Sequence, residues 1–170
     1  MRKFLPDINA VSIYEIDYKS LKKKGIKLLV FDLDNTLTDI RGKEIDKQLD
    51  LITNLKELDF EIIIVSNNVI KKRVAHWGEA LDIPYTFAAF KPRMGVYRRI
   101  LKKYNIKAFE MAGIGDQLIT DILGANLIGA TSILINPIKS SDEVLTKVSR
   151  SIENMIIKYY QKKGIRIRKY

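Results

Sequence analysis

The fold of this chain is decided by residues 26–36, where the run Ile-Lys-Leu-Leu-Val-Phe is followed at once by Asp32-Leu33-Asp34-Asn35-Thr36. The run has the length and the nearly continuous apolar character of a parallel strand that is buried on both faces. In open α/β sheets, ligands bind beyond the carboxyl ends of such strands. We therefore predict that Asp32, Asp34 and Thr36 lie in a site at the end of this strand.

Three further apolar runs also end in polar residues. Ser66 and Asn67 close one run, Lys91 follows a short one, and Asp116 and Asp121 follow another. The carboxyl ends of parallel strands meet at one edge of a sheet, so these side chains are expected to converge. We interpret them as parts of one site, although Thr36 or Ser66 alone would suit a helix cap or a turn.

The segments between these runs have helical periodicity. Apolar residues recur at helical spacing over 45–58, and further helices are predicted over 69–81 and 93–104, with a shorter one that ends near Gly124 and a last strand over 131–135. Strands that alternate with single helices indicate a parallel sheet with helices on both faces. The fold class is therefore α/β, a three-layer Rossmann-like sheet.

Composition limits the chemistry. The 170 residues fit one domain over 1–170, with an amino-terminal extension over about 1–24 and a basic carboxyl-terminal helix and tail over about 142–170. There is no cysteine and one histidine, His76, which excludes thiolate catalysis and disfavours a Ser-His-Asp triad. No apolar stretch approaches the roughly 20 residues that span a bilayer, and no signal-peptide core is present, so we predict a cytoplasmic protein.

The net charge of +10 indicates an anionic partner, which is a nucleic acid, a membrane surface or a phosphorylated substrate. Much of the excess follows Glu153, where no acidic side chain accompanies Lys158, Lys162, Lys163, Arg166, Arg168 and Lys169. Both ends of the chain are amphipathic. They either cover the sheet or make a peripheral contact with an anionic membrane.

The order Asp-x-Asp-x-Thr, Ser, Lys-Pro and Gly-Asp-x4-Asp resembles the four motifs of the haloacid dehalogenase-like (HAD) phosphatases. Gly25-Ile26-Lys27, Ser66-Asn67-Asn68, Gly115-Asp116-Gln117 and the set of Thr146, Arg150 and Glu153 resemble the YqeG-like branch of subfamily IIIA. Mitochondrial and plastid phosphatidylglycerophosphate phosphatases are similar to that branch. The resemblance implies the HAD-like fold, and the short gaps between motifs leave no room for a cap domain.

The resemblance also implies a magnesium-dependent mechanism. Asp32 is expected to be the nucleophile that forms an aspartyl phosphate, and Asp34 the acid and base. Asp32 and Asp116 are expected to bind Mg²⁺ through their side chains and Asp34 through its backbone carbonyl. Asp121 is expected to support the metal without binding it directly. Carboxylate oxygens are ligands that this hard cation prefers.

The remaining motif residues are expected to contact the substrate. Thr36 and Ser66 would present hydroxyl groups to the transferred phosphoryl group, and Lys91 would stabilise its charge. Asn67 shapes the turn after Ser66 and is a candidate for substrate contact. Arg150 is expected to meet a second anionic group of the substrate, with a helix-surface ion pair as the alternative.

The leading functional hypothesis is a phosphomonoesterase that acts on phosphatidylglycerophosphate, at the inner face of the membrane. The open, capless site favours large substrates, and this leaves a phosphatase of nucleic-acid 3′ ends or of phosphoproteins as an alternative. A non-catalytic RNA- or ribosome-binding module on a HAD scaffold is a third hypothesis. The sequence makes no prediction of an oligomeric state.

Overall fold

The computed structural model describes residues 2–39, 45–138, 144–165 and 167, with residues 2 and 144–151 described by backbone alone. Within these ranges the chain forms six strands and six α-helices. The strands are β1 (Ile8–Asn9), β2 (Leu28–Phe31), β3 (Glu61–Val65), β4 (Tyr85–Thr86), β5 (Met111–Gly115) and β6 (Thr131–Leu134). The helices are α1 (Tyr18–Lys23), α2 (Asp46–Glu57), α3 (Lys71–Ala80), α4 (Met94–Tyr104), α5 (Leu123–Ile128) and α6 (Val144–Lys162). A π-helical turn, Leu118–Ile122, joins β5 to α5.

The strands form one parallel sheet in the order β1-β6-β5-β2-β3-β4. This confirms the predicted α/β class. The chain moves from β2 to β3 and β4 on one side and then crosses to β5 and β6 on the other, so the strand order reverses at β2 and β5. A crevice opens at such a reversal, beyond the carboxyl ends of the strands.

The side chains of β2 are buried on both faces of the sheet. Leu29 and Phe31 pack in the cluster that includes Ile52 of α2 and Trp77 of α3, while Leu28 and Val30 pack in the cluster of α4. All four β2 residues are 3% exposed or less, as the continuous apolar run predicts. Helices on both faces therefore fix the strand whose end carries Asp32.

The amino-terminal segment is more than a covering extension. Ile8 pairs with Ile133 of β6, so β1 adds a sixth, edge strand that the sequence analysis did not predict. The pairing is supported by Asp7, whose carboxylate accepts hydrogen bonds from the amide and hydroxyl of Ser132. A two-residue strand is too short to produce an alternating pattern, which explains why it was missed.

The helix after β5 does not end near Gly124, and that prediction was wrong. Gly124 lies within α5, which continues to Ile128 and ends at Gly129, where φ is +81°. A Cβ at Gly124 would lie 2.8 Å from the hydroxyl oxygen of Tyr97, so glycine allows α5 to approach α4 closely. The glycine is therefore a packing residue, and the helix stop is five residues later.

Helix α6 covers one end of the sheet. Ile157 and Tyr160 are buried beside Leu118 and Ile122 of the π-helical turn. This confirms the covering role for one face of the carboxyl-terminal helix. None of the helices within the described ranges has the length and apolar character needed to cross a bilayer. Between β3 and β4 the chain adds only α3, in accordance with the capless prediction.

Candidate active site

A buried ion-pair network lies beyond the ends of β2 and β5. Asp32 follows β2 directly, and its Oδ1 accepts a hydrogen bond from Nζ of Lys91 at 2.7 Å. The same ammonium group donates to Oδ1 of Asp121 at 2.6 Å. The Lys91 side chain is 3% exposed, so one cation joins two acidic motifs away from solvent. The structure thus brings these three predicted residues together.

Asp116 completes a cluster of three carboxylates. Oxygen atoms of Asp32, Asp116 and Asp121 all lie within 4.8 Å of one another, and all three residues are buried. Asp121 also accepts a hydrogen bond from the backbone amide of Gln117 at 3.2 Å, which fixes it on the π-helical turn. Gly115 permits this arrangement, because a Cβ there would collide with the carboxyl group of Asp121.

Burial and mutual repulsion dominate the electrostatics of the cluster. Burial raises the pKa of Asp32 to about 7. The charge of Lys91 lowers this pKa, but the charge of Asp121 raises it and cancels part of the effect of Lys91. Burial raises the pKa of Asp116 as well, with contributions from the charges of Asp32, Asp121 and Glu153. For Lys91, burial disfavours the charge, but Asp121 and Asp32 outweigh it and raise the pKa. The ammonium therefore stays charged while its two acidic partners share it.

The donor set fits a hard divalent cation. Three buried carboxylates face one buried lysine, so the cluster holds more negative charge than Lys91 offsets. Carboxylate oxygens at this spacing are suited to Mg²⁺, and a bound cation would oppose the burial and the repulsion that together raise the pKa of Asp116. The predicted metal residues Asp32, Asp116 and Asp121 are thus together, with Asp34 one residue beyond Leu33 in the same loop.

Asp34 is held by Asn68, in the loop after β3, and by Arg73, in helix α3. Its Oδ1 accepts a hydrogen bond from Nε of Arg73 at 2.8 Å, with the second guanidinium nitrogen at 2.7 Å, and its Oδ2 accepts one from the side chain of Asn68 at 2.8 Å. Arg73 also donates to the carbonyl of Asp39. The Asp34 side chain is 25% exposed, so this carboxylate faces the open mouth of the site.

Arg73 was missed by the sequence analysis. It lies in the first turn of α3 among Lys71 and Lys72, where basic residues would suit a solvated helix surface. The available signal was topological, because β2 and β3 are neighbours and the helix after β3 must begin beside the loop after β2. A basic residue in that first turn could therefore have been paired with Asp34.

The two predicted hydroxyl residues are both buried. Thr36 is 0% exposed, and its hydroxyl has no hydrogen-bond partner among the described residues. Ser66 is 1% exposed, and its Oγ accepts a hydrogen bond from the backbone amide of Asn68 at 3.1 Å. That bond is typical of a turn, which was the alternative interpretation of Ser66. Contact of either hydroxyl with a phosphoryl group stays a prediction.

The two predicted substrate residues have different outcomes. Both polar atoms of the Asn67 side chain bond the backbone of Lys91, at 3.0 Å to its carbonyl and 2.6 Å from its amide. Asn67 thus positions the loop that carries Lys91, and its contact with substrate stays a prediction. Arg150 lies on α6, and its side chain is outside what the structure describes. Arg166 and Arg168 of the basic tail are also outside the described residues.

Glu153 of α6 reaches the site. Glu153 is 2% exposed and accepts a hydrogen bond from the amide of Ile119 at 3.4 Å, and its charge acts on Asp116. The carboxyl-terminal helix is thus part of the site's electrostatic environment. His76 is exposed and Trp77 is buried in the core, so the structure gives them surface and packing roles.

The sequence of this chain matches a known family of proteins. The profile of the family described as mitochondrial PGP phosphatase matches residues 1–139. The probable phosphatase YqeG of Bacillus subtilis (strain 168) is 35% identical over 162 residues, which cover 95% of this chain and 94% of that protein. The phosphatase relatives favour an enzyme over a non-catalytic scaffold.

Two more distant similarities are informative. The phosphatidylglycerophosphate phosphatase 1, chloroplastic/mitochondrial, of Arabidopsis thaliana is 27% identical over 172 residues, and the match covers 95% of this chain but 49% of that protein. The chain therefore spans about half the length of this relative. The crystal structure of a haloacid dehalogenase-like family hydrolase from Xanthomonas campestris has a TM-score of 0.50 at 13% identity, covering 71% of this chain and 89% of that one. This last likeness concerns the fold alone.

Proposed function

This chain belongs to the mitochondrial PGP phosphatase family and is a phosphatase of the HAD type, and from that premise we propose that it is a magnesium-dependent phosphomonoesterase acting on phosphatidylglycerophosphate. The observation that carries the proposal is the buried cluster of Asp32, Asp116 and Asp121 around Lys91. It combines a carboxylate at a strand end, a cation-binding set of oxygens and a fixed positive charge. Phosphoryl transfer through an aspartyl phosphate uses these three parts together.

Asp32 is the proposed nucleophile. One of its oxygens bonds Lys91, and this contact fixes the orientation of the carboxylate at the end of β2. Mg²⁺ held by Asp32, Asp116 and the carbonyl of Asp34, with Asp121 in support, would neutralise charge on the phosphate and so permit attack by an anion. An Asp32 oxygen then bonds phosphorus while the bond from phosphorus to the ester oxygen breaks. The product is an aspartyl phosphate and a free alcohol.

Asp34 is the proposed acid and base. It gives a proton to the departing ester oxygen, and then takes one from the water that attacks the aspartyl phosphate and regenerates Asp32. Arg73 and Asn68 donate hydrogen bonds to the Asp34 carboxyl group and so fix its orientation at the mouth of the site. In the first step Asp34 must carry the proton that it donates, and in the second step it must be a carboxylate that can accept one. We assign Arg73 as a positioning residue for Asp34.

The other motif residues support the transferred group. Lys91 supplies a positive charge that is fixed before the reaction begins, and such preorganised charge stabilises a transition state without reorganisation. The unpartnered hydroxyl of Thr36 is proposed to donate to a phosphoryl oxygen, as is that of Ser66. Arg150 and Asn67 are retained as proposed substrate contacts.

The lipid substrate is the more specific part of the proposal. It is supported by the family description and by the name of the Arabidopsis relative, together with a site that no cap covers within the described residues. An open site lets a substrate keep its bulk in a membrane while its phosphate reaches Asp32. The proposed location is the cytoplasm, at the inner face of the membrane.

A turnover screen tests this function. Purified protein with Mg²⁺ is given phosphatidylglycerophosphate in detergent micelles, an oligonucleotide 3′-phosphate, a phosphopeptide and a soluble aryl phosphate, with Asp32→Asn as the control for contaminating phosphatases. We expect the lipid to give the highest kcat/KM and a chelator to abolish turnover. Preference for the oligonucleotide or phosphopeptide would overturn the lipid assignment, and turnover of no phosphomonoester would overturn the mechanism.

A further inference from the structure

Large apolar side chains are exposed on the two loops that carry Ser66 and Lys91. Val69 is 70% exposed and Ile70 60% on the loop between β3 and α3, while Phe87 is 37% exposed and Phe90 60% on the loop between β4 and α4. We call these four residues, with Lys71, Lys72 and Arg93, the β3–β4 rim. Exposed apolar groups that cluster beside a site commonly mark a docking surface.

The two loops are tied to each other by their backbones. The amide of Ala88 donates to the carbonyl of Asn68 at 2.9 Å, and that of Ala89 donates to the carbonyl of Ser66 at 3.0 Å. The Asn67 side chain adds two bonds to the backbone of Lys91. The two loops therefore form one hydrogen-bonded unit, and this unit holds the four apolar side chains on the same exposed surface.

The rim adjoins the mouth of the catalytic site. Phe90 immediately precedes Lys91, whose ammonium contacts Asp32, and Ile70 is three residues before Arg73, which contacts Asp34. Phe90 has φ of +55°, a left-handed conformation that is an outlier for a bulky side chain. The Phe90 ring is therefore exposed within the loop that carries Lys91.

The charges of the rim are all positive. The basic residues of the rim are Lys71, Lys72 and Arg93, and residues 66–73 and 87–93 contain no Asp or Glu. Lys71 lies 5.9 Å from the ring centre of Phe87, and Arg93 lies 5.7 Å from that of Phe90. Apolar side chains flanked by basic ones are suited to the interface of an anionic bilayer, where rings enter the headgroup region and cations meet lipid phosphates.

We propose that the β3–β4 rim docks this enzyme on an anionic lipid bilayer, with Val69, Ile70, Phe87 and Phe90 entering the interface and the basic residues on the headgroups. The docked orientation turns the mouth of the site towards the membrane, so that a lipid phosphomonoester reaches Asp32 without leaving the bilayer. The orientation rests on the proposed lipid function, whereas vesicle binding by the rim does not. This places the principal membrane contact at the site, in addition to any contact by the basic tail.

The chain offers a closely matched control. Phe109 is 62% exposed with Lys107 at 5.8 Å from its ring centre, which closely matches Phe90 and Arg93. Phe109 precedes β5, however, and so lies at the amino edge of the sheet, opposite the site. Loss of the aromatic ring at Phe109 should therefore leave membrane binding unchanged, whereas loss of apolar side chains at the rim should weaken it.

The test variant is Val69→Ser/Ile70→Ser/Phe90→Asn, compared with Phe109→Asn. Ile70 is the N-cap of α3, where serine is favoured, and asparagine tolerates the positive φ of Phe90. Sedimentation with vesicles of phosphatidylglycerol and phosphatidylcholine should show at least a roughly tenfold loss of binding for the triple variant and about wild-type binding for Phe109→Asn. Equal binding by all three proteins would overturn the proposal.

Activity assays separate this proposal from the proposed function. The triple variant should hydrolyse a soluble aryl phosphate within about twofold of wild type, and phosphatidylglycerophosphate in vesicles about tenfold more slowly. If wild type fails to hydrolyse that lipid even in detergent micelles, the proposed function is wrong, while the vesicle-binding result still decides the role of the rim. If the triple variant hydrolyses both micellar and vesicular lipid at the wild-type rates, docking by the rim is refuted.

A direct probe of insertion uses tryptophan. The natural Trp77 is 1% exposed and gives a constant background. Phe90→Trp should be quenched by brominated lipid in anionic vesicles, and Phe109→Trp should not. Absence of quenching at position 90 would contradict insertion. A rim that serves a protein partner instead predicts no quenching and no loss of vesicle binding in the triple variant.

Discussion

Replacing Lys91 by methionine should damage both stability and catalysis. The change removes hydrogen bonds of 2.7 Å to Asp32 and 2.6 Å to Asp121 from a side chain that is 3% exposed, and so leaves two buried carboxylates without their shared cation. Breaking a buried ion pair in this way costs about 3–5 kcal/mol. For a chain of this length that corresponds to a fall in Tm of roughly 6–20 °C. Loss of preorganised charge at the phosphoryl group should lower kcat by about 10²–10³-fold.

The instability of Lys91→Met should depend on pH. Burial already raises the pKa of Asp32 to about 7, above its usual value of 3.8, and without the ammonium it should rise further. A carboxyl group whose pKa is higher in the folded state contributes stability at low pH and loses it as pH rises through the folded pKa. The deficit in Tm against wild type should therefore be larger at pH 8 than at pH 5.5.

Thermal melts at the two pH values, with chelator, and steady-state hydrolysis of an aryl phosphate measure these effects. Lys102→Met, an exposed position on α4, is the matched control and should resemble wild type. A Lys91→Met protein that melts within about 2 °C of wild type at pH 8 and retains kcat within about tenfold would refute the structural and catalytic roles together.

The remaining predictions concern the acid and base, the metal and the glycine at the site. Asp34→Asn should keep the attacking carboxylate but hydrolyse the phosphoenzyme slowly, so rapid-quench experiments should show the phosphorylated protein accumulating; wild-type steady-state rates would remove Asp34 from the mechanism. Arg73→Ala should lower kcat about 10–100-fold with little change in KM, and unchanged kcat would deny it a positioning role. Asp116→Asn should raise the Tm measured in chelator, because it removes the cost of burying a charge at this position and the repulsion from the neighbouring carboxylates. The same change should remove stabilisation by Mg²⁺ and nearly all activity, and an Mg²⁺-dependent rise in Tm equal to that of wild type would exclude Asp116 as a ligand. Gly115→Ala should displace Asp121, with about 1–3 kcal/mol lost and a lower kcat, and normal kinetics would show that the close contact is dispensable.

The parts of the structure that the sequence predicts are those with strong local patterns. The run that forms β2 is apolar throughout because both faces are covered, and the polar residues after each strand converge because parallel strands end at one edge. The acidic cluster of Asp32, Asp116 and Asp121 was therefore predictable by residue number. Lys91 was placed at the same edge by this reasoning, although it follows the end of β4 by five residues, and its ion pairs with Asp32 and Asp121 were not predicted.

The parts that were missed depend on contacts between distant segments. Strand β1 is two residues long and is defined by its pairing with β6. Arg73 is 39 residues from Asp34, in a basic stretch typical of a helix surface. Gly124 was interpreted as a helix stop, because nothing in the local sequence indicates that the ring of Tyr97 packs against it. Local propensity contains no information on such neighbours, because tertiary packing determines them.

The central claim, that Asp32 is the nucleophile of a magnesium-dependent phosphatase, is tested most directly by trapping the intermediate. Protein mixed with Mg²⁺ and a substrate labelled in its phosphoryl group is quenched in acid within the first turnover, and the labelled peptide is isolated after digestion at acid pH. A parallel sample is reduced with borohydride, which releases the phosphate and converts the aspartyl phosphate to homoserine, and mass spectrometry locates the homoserine. We predict acid-stable, hydroxylamine-sensitive label on the peptide that contains Asp32, and none without Mg²⁺ or in Asp32→Asn. Label on any other residue, or full turnover by Asp32→Asn, would contradict the account.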